Sequence, residues 1–130
     1  MEGVDAALIA FEEFVMEAGV PIYQQILLHI KRGIVAGTVE DGDELPSRRV
    51  LSALLGVNPN TVQKAYRLLE EEGLILSHSG AKSYVRLEGE TVSRVRRELL
   101  EADARAVITA MKQMGLSREE AKTLIDDYWE

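Results

Sequence analysis

From Pro46 to Gly73 the chain reads PSRRVLSALLGVNPNTVQKAYRLLEEEG, two short apolar-periodic segments with matching punctuation. Ser47 is placed to cap a first helix, in which Val50, Leu51, Leu54 and Leu55 supply an apolar face before Gly56 stops it. Two residues later Asn58 can cap a second helix, with Pro59 at the first helical position, where a missing N–H costs nothing. The second helix buries Val62, Ala65, Tyr66 and Leu69 and ends at Gly73. Two helices joined through Gly56-Val57-Asn58 have the spacing of a helix-turn-helix.

Outward from this pair the pattern continues. Downstream, Leu74 to His78 and Ser83 to Leu87 are β-prone runs around Ser79-Gly80-Ala81-Lys82, a hairpin that makes the unit winged. Upstream, Pro21 opens a helix carrying Ile22, Tyr23, Ile26, Leu27, Ile30 and Ile34, closed by Gly37. Thr38 to Leu45 reads as an acidic turn, and Asp5 to Ala18 as a short amphipathic helix ended by Gly19. Thr91 to Met114 has the period of a long helix with two apolar stripes, broken at Gly115. Ser117 and Glu120 form a capping box for a last helix ending near Tyr128 and Trp129. The expectation is a mainly α protein with a small β-hairpin wing. Its parts are an acidic N-terminal helix (1–19), a winged helix-turn-helix (20–88) and a two-helix dimerisation tail (89–130).

Composition narrows the function. The 130 residues include no cysteine, which excludes a disulfide scaffold, a thiolate zinc site and a cysteine nucleophile. The histidines His29 and His78 stand alone, so neither a metal nor any other cofactor is expected. No nucleophile-base pair or phosphate-binding glycine loop appears, which argues against an enzyme. Apolar runs are too short for a membrane span, and Glu2 and Asp5 stand where a signal peptide needs positive charge, so the expected compartment is the cytoplasm. The net charge of −7 argues at first against nucleic acid. By segment it reads differently. Residues 1–19 carry five acids and no base, whereas residues 45–87 carry six bases against three acids. The acid excess lies outside the helix-turn-helix.

With the apolar side of the second helix inward, its outward side chains are Asn60, Thr61, Gln63, Lys64 and Arg67. Asn and Gln can pair bidentately with adenine, Thr can touch a thymine methyl, and Lys and Arg reach guanine or phosphate. Glu70, Glu71 and Glu72 sit at the far end of the same helix. Arg48 and Arg49 open the first helix, where the dipole disfavours cations, so a role outside folding is expected for them. Plainer readings compete: outward polar residues are commonly just solvated, Ser47 and Asn58 are caps before they are ligands, and Lys82 at a hairpin tip commonly faces only water.

The stretch from Pro21-Ile22-Tyr23-Gln24-Gln25-Ile26 to Val85 resembles the winged helix-turn-helix of the GntR family of bacterial transcription regulators. The residues that carry the likeness are Leu45 to Leu51, Leu55-Gly56-Val57-Asn58-Pro59-Asn60-Thr61-Val62, Ala65-Tyr66, Glu72-Gly73-Leu74-Ile75, and Gly80 with Tyr84-Val85. Pro-Ile-Tyr and Asn-Pro-Asn-Thr-Val are most similar to the short, YtrA-like branch, whose tail is a two-helix dimerisation unit. The resemblance implies that Arg49 contacts the DNA backbone, that Pro59, Asn60, Thr61 and Gln63 face the operator, and that Gly80 at the wing tip approaches the minor groove. Relatives often carry arginine where this chain has Pro59 and Gln63, and a second wing glycine where Lys82 stands.

The expected DNA-binding set is therefore Ser47, Arg48, Arg49, Asn58, Pro59, Asn60, Thr61, Gln63, Lys64, Arg67, Gly80 and Lys82. The expected dimer contacts are Val95, Leu99, Ala106, Met111, Leu124, Tyr128 and Trp129. The partners implied are double-stranded operator DNA and a second copy of the chain. The tail is too small to enclose a metabolite, so any small-molecule effector would sit at the dimer interface or between tail and head. A partly palindromic operator follows from two-fold symmetry, and repression by occlusion of a promoter is the expected outcome. The rival reading is a winged helix that binds a basic protein partner through its acidic ends.

Overall fold

The periodic apolar residues between Pro21 and Gly37 do form a helix, α1 (Ile22–Ala36), with Ile26, Ile30 and Ile34 buried along one side. After it the computed structural model, which describes residues 8–12, 14–78 and 82–130, runs through β1 (Glu44–Leu45), α2 (Arg48–Leu55), α3 (Pro59–Glu71), β2 (Ile75–Ser77), β3 (Ser83–Val85), α4 (Thr91–Gln113) and α5 (Arg118–Tyr128). The chain divides into two units, one ending at Val95 and the other comprising Arg96–Glu130.

In the first unit α1 packs on α3, and α3 on α2 and β2. Ile26, Ile30, Leu51, Val62, Ala65, Tyr66, Leu69, Leu74 and Val95 are all fully buried there. At about 1.5–3 kcal/mol for each large apolar side chain, this burial is what holds the three helices together. The sheet is antiparallel in the order β1-β3-β2, with Leu76 opposite Tyr84 and Glu44 on the other side of Tyr84. The hairpin strands are shorter than the β-prone runs suggest, and the expected acidic turn contains β1, two residues long.

The N-terminal segment corrects its sequence reading. Of the expected helix from Asp5 to Ala18, residues 5–7 and 13 lie outside the described residues, and the rest is extended or turn. Leu8 bridges Glu44 in parallel, and the Ile9 N–H donates to the Glu44 carbonyl (2.9 Å). Ile9 and Phe11 are buried while Leu8 and Ala10 are exposed, the period of a strand. Gln25 fixes the segment further along. The Glu17 N–H donates to Gln25 Oε1 (2.8 Å), and Gln25 Nε2 donates to the carbonyls of Glu17 (2.9 Å) and Val20 (2.8 Å). The ring of His29 packs against Phe11 and Phe14, with Nε2 2.8 Å from the Ala10 carbonyl oxygen. Tertiary pairing thus overrides an ambiguous apolar pattern.

Two further expectations change. Val50 and Leu54, read as part of the apolar face of α2, are 57% and 63% exposed. Ser52 takes the inward place instead, because its hydroxyl donates to the Arg49 carbonyl (2.9 Å) and leaves nothing unsatisfied. Val95, expected at a dimer interface, is fully buried within its own chain; the first turn of α4 closes the core of the head.

Gly33 lies inside α1, where glycine is unfavourable on propensity by about 1 kcal/mol. Its reason is contact: a Cβ there would stand 2.5 Å from Val39 Cγ2. Val39 is buried and stiff at χ1, so it has little room to yield. Gly33→Ala should therefore lower stability by about 1–2 kcal/mol net, as overpacking outweighs the propensity gain. A fall in the urea midpoint at unchanged m-value checks this.

In the second unit the expected capping box is present. The Glu120 N–H donates to Ser117 Oγ (3.1 Å) and the Ser117 N–H donates to Glu120 Oε1 (3.0 Å). The Ser117 backbone bond, then its side chain, hold the Glu120 carboxyl below its usual range.

Candidate nucleic-acid interface

The interface is built from the starts of α2 and α3, and each start is set by its own cap. Ser47 Oγ accepts from the Val50 N–H (3.1 Å), and Asn58 Oδ1 from the Asn60 N–H (2.8 Å). Gly56 makes the turn between them possible by taking φ +68°, a left-handed conformation that favours glycine. The caps use the side chains of Ser47 and Asn58 for the fold. They leave the first turn of α3 open to water, with Pro59 and Asn60 exposed and Thr61 half-buried.

Tyr66 connects this surface to the core. Its ring is fully buried, its hydroxyl donates to the Pro46 carbonyl (2.7 Å), and burial pushes its phenol well above the usual tyrosine range. The Arg48 guanidinium lies 5.0 Å from the centroid of that ring, and Arg48 Nε donates to Gln63 Oε1. Arg48 and Gln63 are therefore held as a pair across α2 and α3. Lys64 is also placed, with Nζ 4.0 Å from the centroid of the Tyr23 ring on α1. Arg67 points outward and bonds Glu71 (3.2 Å), an exposed pair worth about 0.3–0.5 kcal/mol at most.

Ser47, Arg48, Arg49 and Gln63 come together around one cleft of about 570 Å³, joined by Val50, Ser77 and His78. None of these lining residues is acidic. Of the nearby carboxylates, Glu72 after α3 pairs with Lys31 (2.8 Å), while Glu70 reaches the edge of the cleft and accepts from Ser77 Oγ (3.3 Å). Asn58, Pro59, Asn60, Thr61, Lys64 and Arg67 lie outside this cleft, and Lys82 is exposed just before β3. Gly80 lies outside the described residues. Val50, Ser77 and His78 are additions that sequence reasoning missed. Their signal was positional only, since β2 ends beside the start of α2, and single residues leave no periodic mark.

Among the described residues no three His, Asp or Glu side chains converge as a metal site, and no helix is long and apolar enough to cross a membrane.

Residues 22–85 match the family of bacterial regulatory proteins designated gntR. The HTH-type transcriptional repressor YtrA of Bacillus subtilis is 45% identical over 65 residues, so the chain spans half the length of that relative and half of itself is matched. YhcF of the same organism, an uncharacterized HTH-type transcriptional regulator, is 32% identical over 100 residues, 77% of this chain and 83% of that one. A GntR family transcriptional regulator from Listeria monocytogenes superposes with a TM-score of 0.76 at 31% identity, covering 86% of this chain and 98% of that one. The geometry of α2 and α3 is that of a reading head, and the sequence around it is shared with known regulators. The chain is a helix-turn-helix transcription regulator that belongs to the GntR family of bacterial regulatory proteins.

Proposed function

We propose that this regulator is a homodimeric repressor of the cytoplasm that reads a partly palindromic operator with α3 and occludes a promoter. The observation that carries the reading is the α2/α3 surface: an open, polar first turn of α3 beside an acid-free cleft holding Arg48 and Arg49. An exposed helix start offers base-reading side chains, backbone N–H groups and a positive dipole end to the same groove. Repression has support from the name of the Bacillus subtilis relative.

Dimerisation has support from the second unit. Leu100, Val107, Ile108, Met114, Leu124 and Ile125 are 41–71% exposed there, and Tyr128 and Trp129 78% and 80%. Leu99 and Met111 are half-buried and Ala106 exposed. So much apolar surface in 35 residues calls for a partner, and a second copy supplies one with the same character. Two paired heads then sit one turn of DNA apart, or a multiple.

The test separates positioning from reading. Arg49→Ala should weaken binding to operator and random duplexes by the same factor, because a phosphate contact carries no sequence information. Asn60→Ala should lose about 1–3 kcal/mol on operator DNA and change which base is preferred at one position of each half-site. Fluorescence anisotropy on a selected operator and on a random duplex measures both. Equal losses on both duplexes for both variants would remove Asn60 from base readout.

A further inference from the structure

We infer that His78 is a DNA-contacting residue of the head, and that its protonation ties operator affinity to pH. The inference rests on the DNA-binding reading above. His78 follows the last residue of β2 and shares the cleft of Arg48, Arg49 and Gln63. Its place is fixed twice. The His78 N–H donates to the Lys82 carbonyl (2.9 Å), and its ring stands edge-on to Tyr84 of β3 with centroids 5.4 Å apart. The side chain is exposed and stands where the hairpin meets the start of α2. A phosphate drawn to Arg48 and Arg49 therefore arrives beside this imidazole.

The charges around it decide the sign. Arg48 and Arg49 face the cleft from α2, Gln63 and Ser77 line it as neutral groups, and Lys82 stands one residue before β3. Glu70 is the acid brought to this end of the sheet, and it is engaged by Ser77 Oγ (3.3 Å). A phosphate held in this cleft favours the charged ring, because imidazolium can donate a charge-assisted hydrogen bond to it. Binding then takes up a proton, and affinity is higher at low pH and falls as pH rises. Uptake of one proton per head changes affinity by at most about tenfold per pH unit for each head.

The chain has only two histidines, so the titration can be assigned. The experiment measures dissociation constants of the full chain from pH 5.5 to 8.5 at fixed ionic strength. It uses a duplex selected from a random pool and a random-sequence duplex, with calorimetry in two buffers to count protons. We expect both duplexes to bind more tightly as pH falls, because the contact is to phosphate. His78→Gln should flatten the slope and abolish proton uptake, His78→Arg should bind without a slope, and His29→Gln should keep it. Circular dichroism confirms that the variants fold. A wild-type slope that survives His78→Gln, or specific binding with no slope at all, would overturn the role of His78 and leave the DNA-binding reading intact. Failure to bind either duplex at any pH would overturn both.

Discussion

Raising salt from 50 to 200 mM should weaken operator binding on the order of 10³-fold or more, with log affinity falling linearly in log salt. The magnitude follows from the number of phosphates neutralised. Each head presents Arg48, Arg49, Lys64, Arg67 and Lys82 on or beside the exposed starts of α2 and α3 and the base of the hairpin. Arg67 must exchange Glu71 for a phosphate, so its net contribution is smaller. The two heads of the proposed dimer would make about 6–10 contacts, the range in which counterion release gives losses of 10³ to 10⁵. Arg49→Ala should reduce the slope by about two for a dimer, one for each head. The acids elsewhere in the chain act in the opposite sense, since salt also screens their repulsion of DNA. A titration across four salt concentrations is enough. A flat response would remove duplex DNA as the partner.

Tyr66→Ala should be the most damaging single change to the head, costing about 3–5 kcal/mol, a large part of a typical domain's stability. The side chain is fully buried between α3 and the residues before α2, so its removal leaves a cavity under Arg48. Tyr66→Phe separates the hydroxyl from the ring. It keeps the packing and strands the Pro46 carbonyl, at about 1–2 kcal/mol. The two variants also differ from wild type in alkali. Because the folded phenol titrates well above its ordinary value of 10.0, the folded chain retains a proton that the unfolded chain loses. Stability from this group is therefore complete below pH 10 and declines as pH rises above it. Tyr66→Phe should show a shallower decline. Urea melts at pH 8 and 10.5 measure both effects, and equal slopes would remove Tyr66 as the cause.

The reading head was legible because its punctuation is local. Ser47, Gly56, Asn58 and Pro59 act within two or three residues of themselves, so caps and turn can be read before any packing is known. The exposed side of α3 followed from the period of Val62, Ala65, Tyr66 and Leu69, all fully buried. What escaped was long-range. Leu8, Ile9 and Phe11 fit a helix or a strand equally, and only pairing with Glu44 selects the strand. Gln25 reads as an ordinary helix glutamine, yet it meets three backbone groups eight and five residues upstream. β1 is too short to show alternation. Val50 and Leu54 lost the inward side of α2 because Ser52 could satisfy its own hydroxyl. The Arg48–Gln63 pair spans 15 residues, and no spacing rule announces it.

The extended segment beside β1 has a consequence during synthesis. Ile9 and Phe11 leave the ribosome well ahead of Glu44, the residue that will pair with this edge. At about 5–20 residues per second, roughly 2–7 s pass in which two large apolar side chains have nowhere to go. Five acids flank them along residues 1–19, and like charge opposes association of such segments. An acidic flank of this kind is suited to keeping such an unpaired edge from meeting another chain.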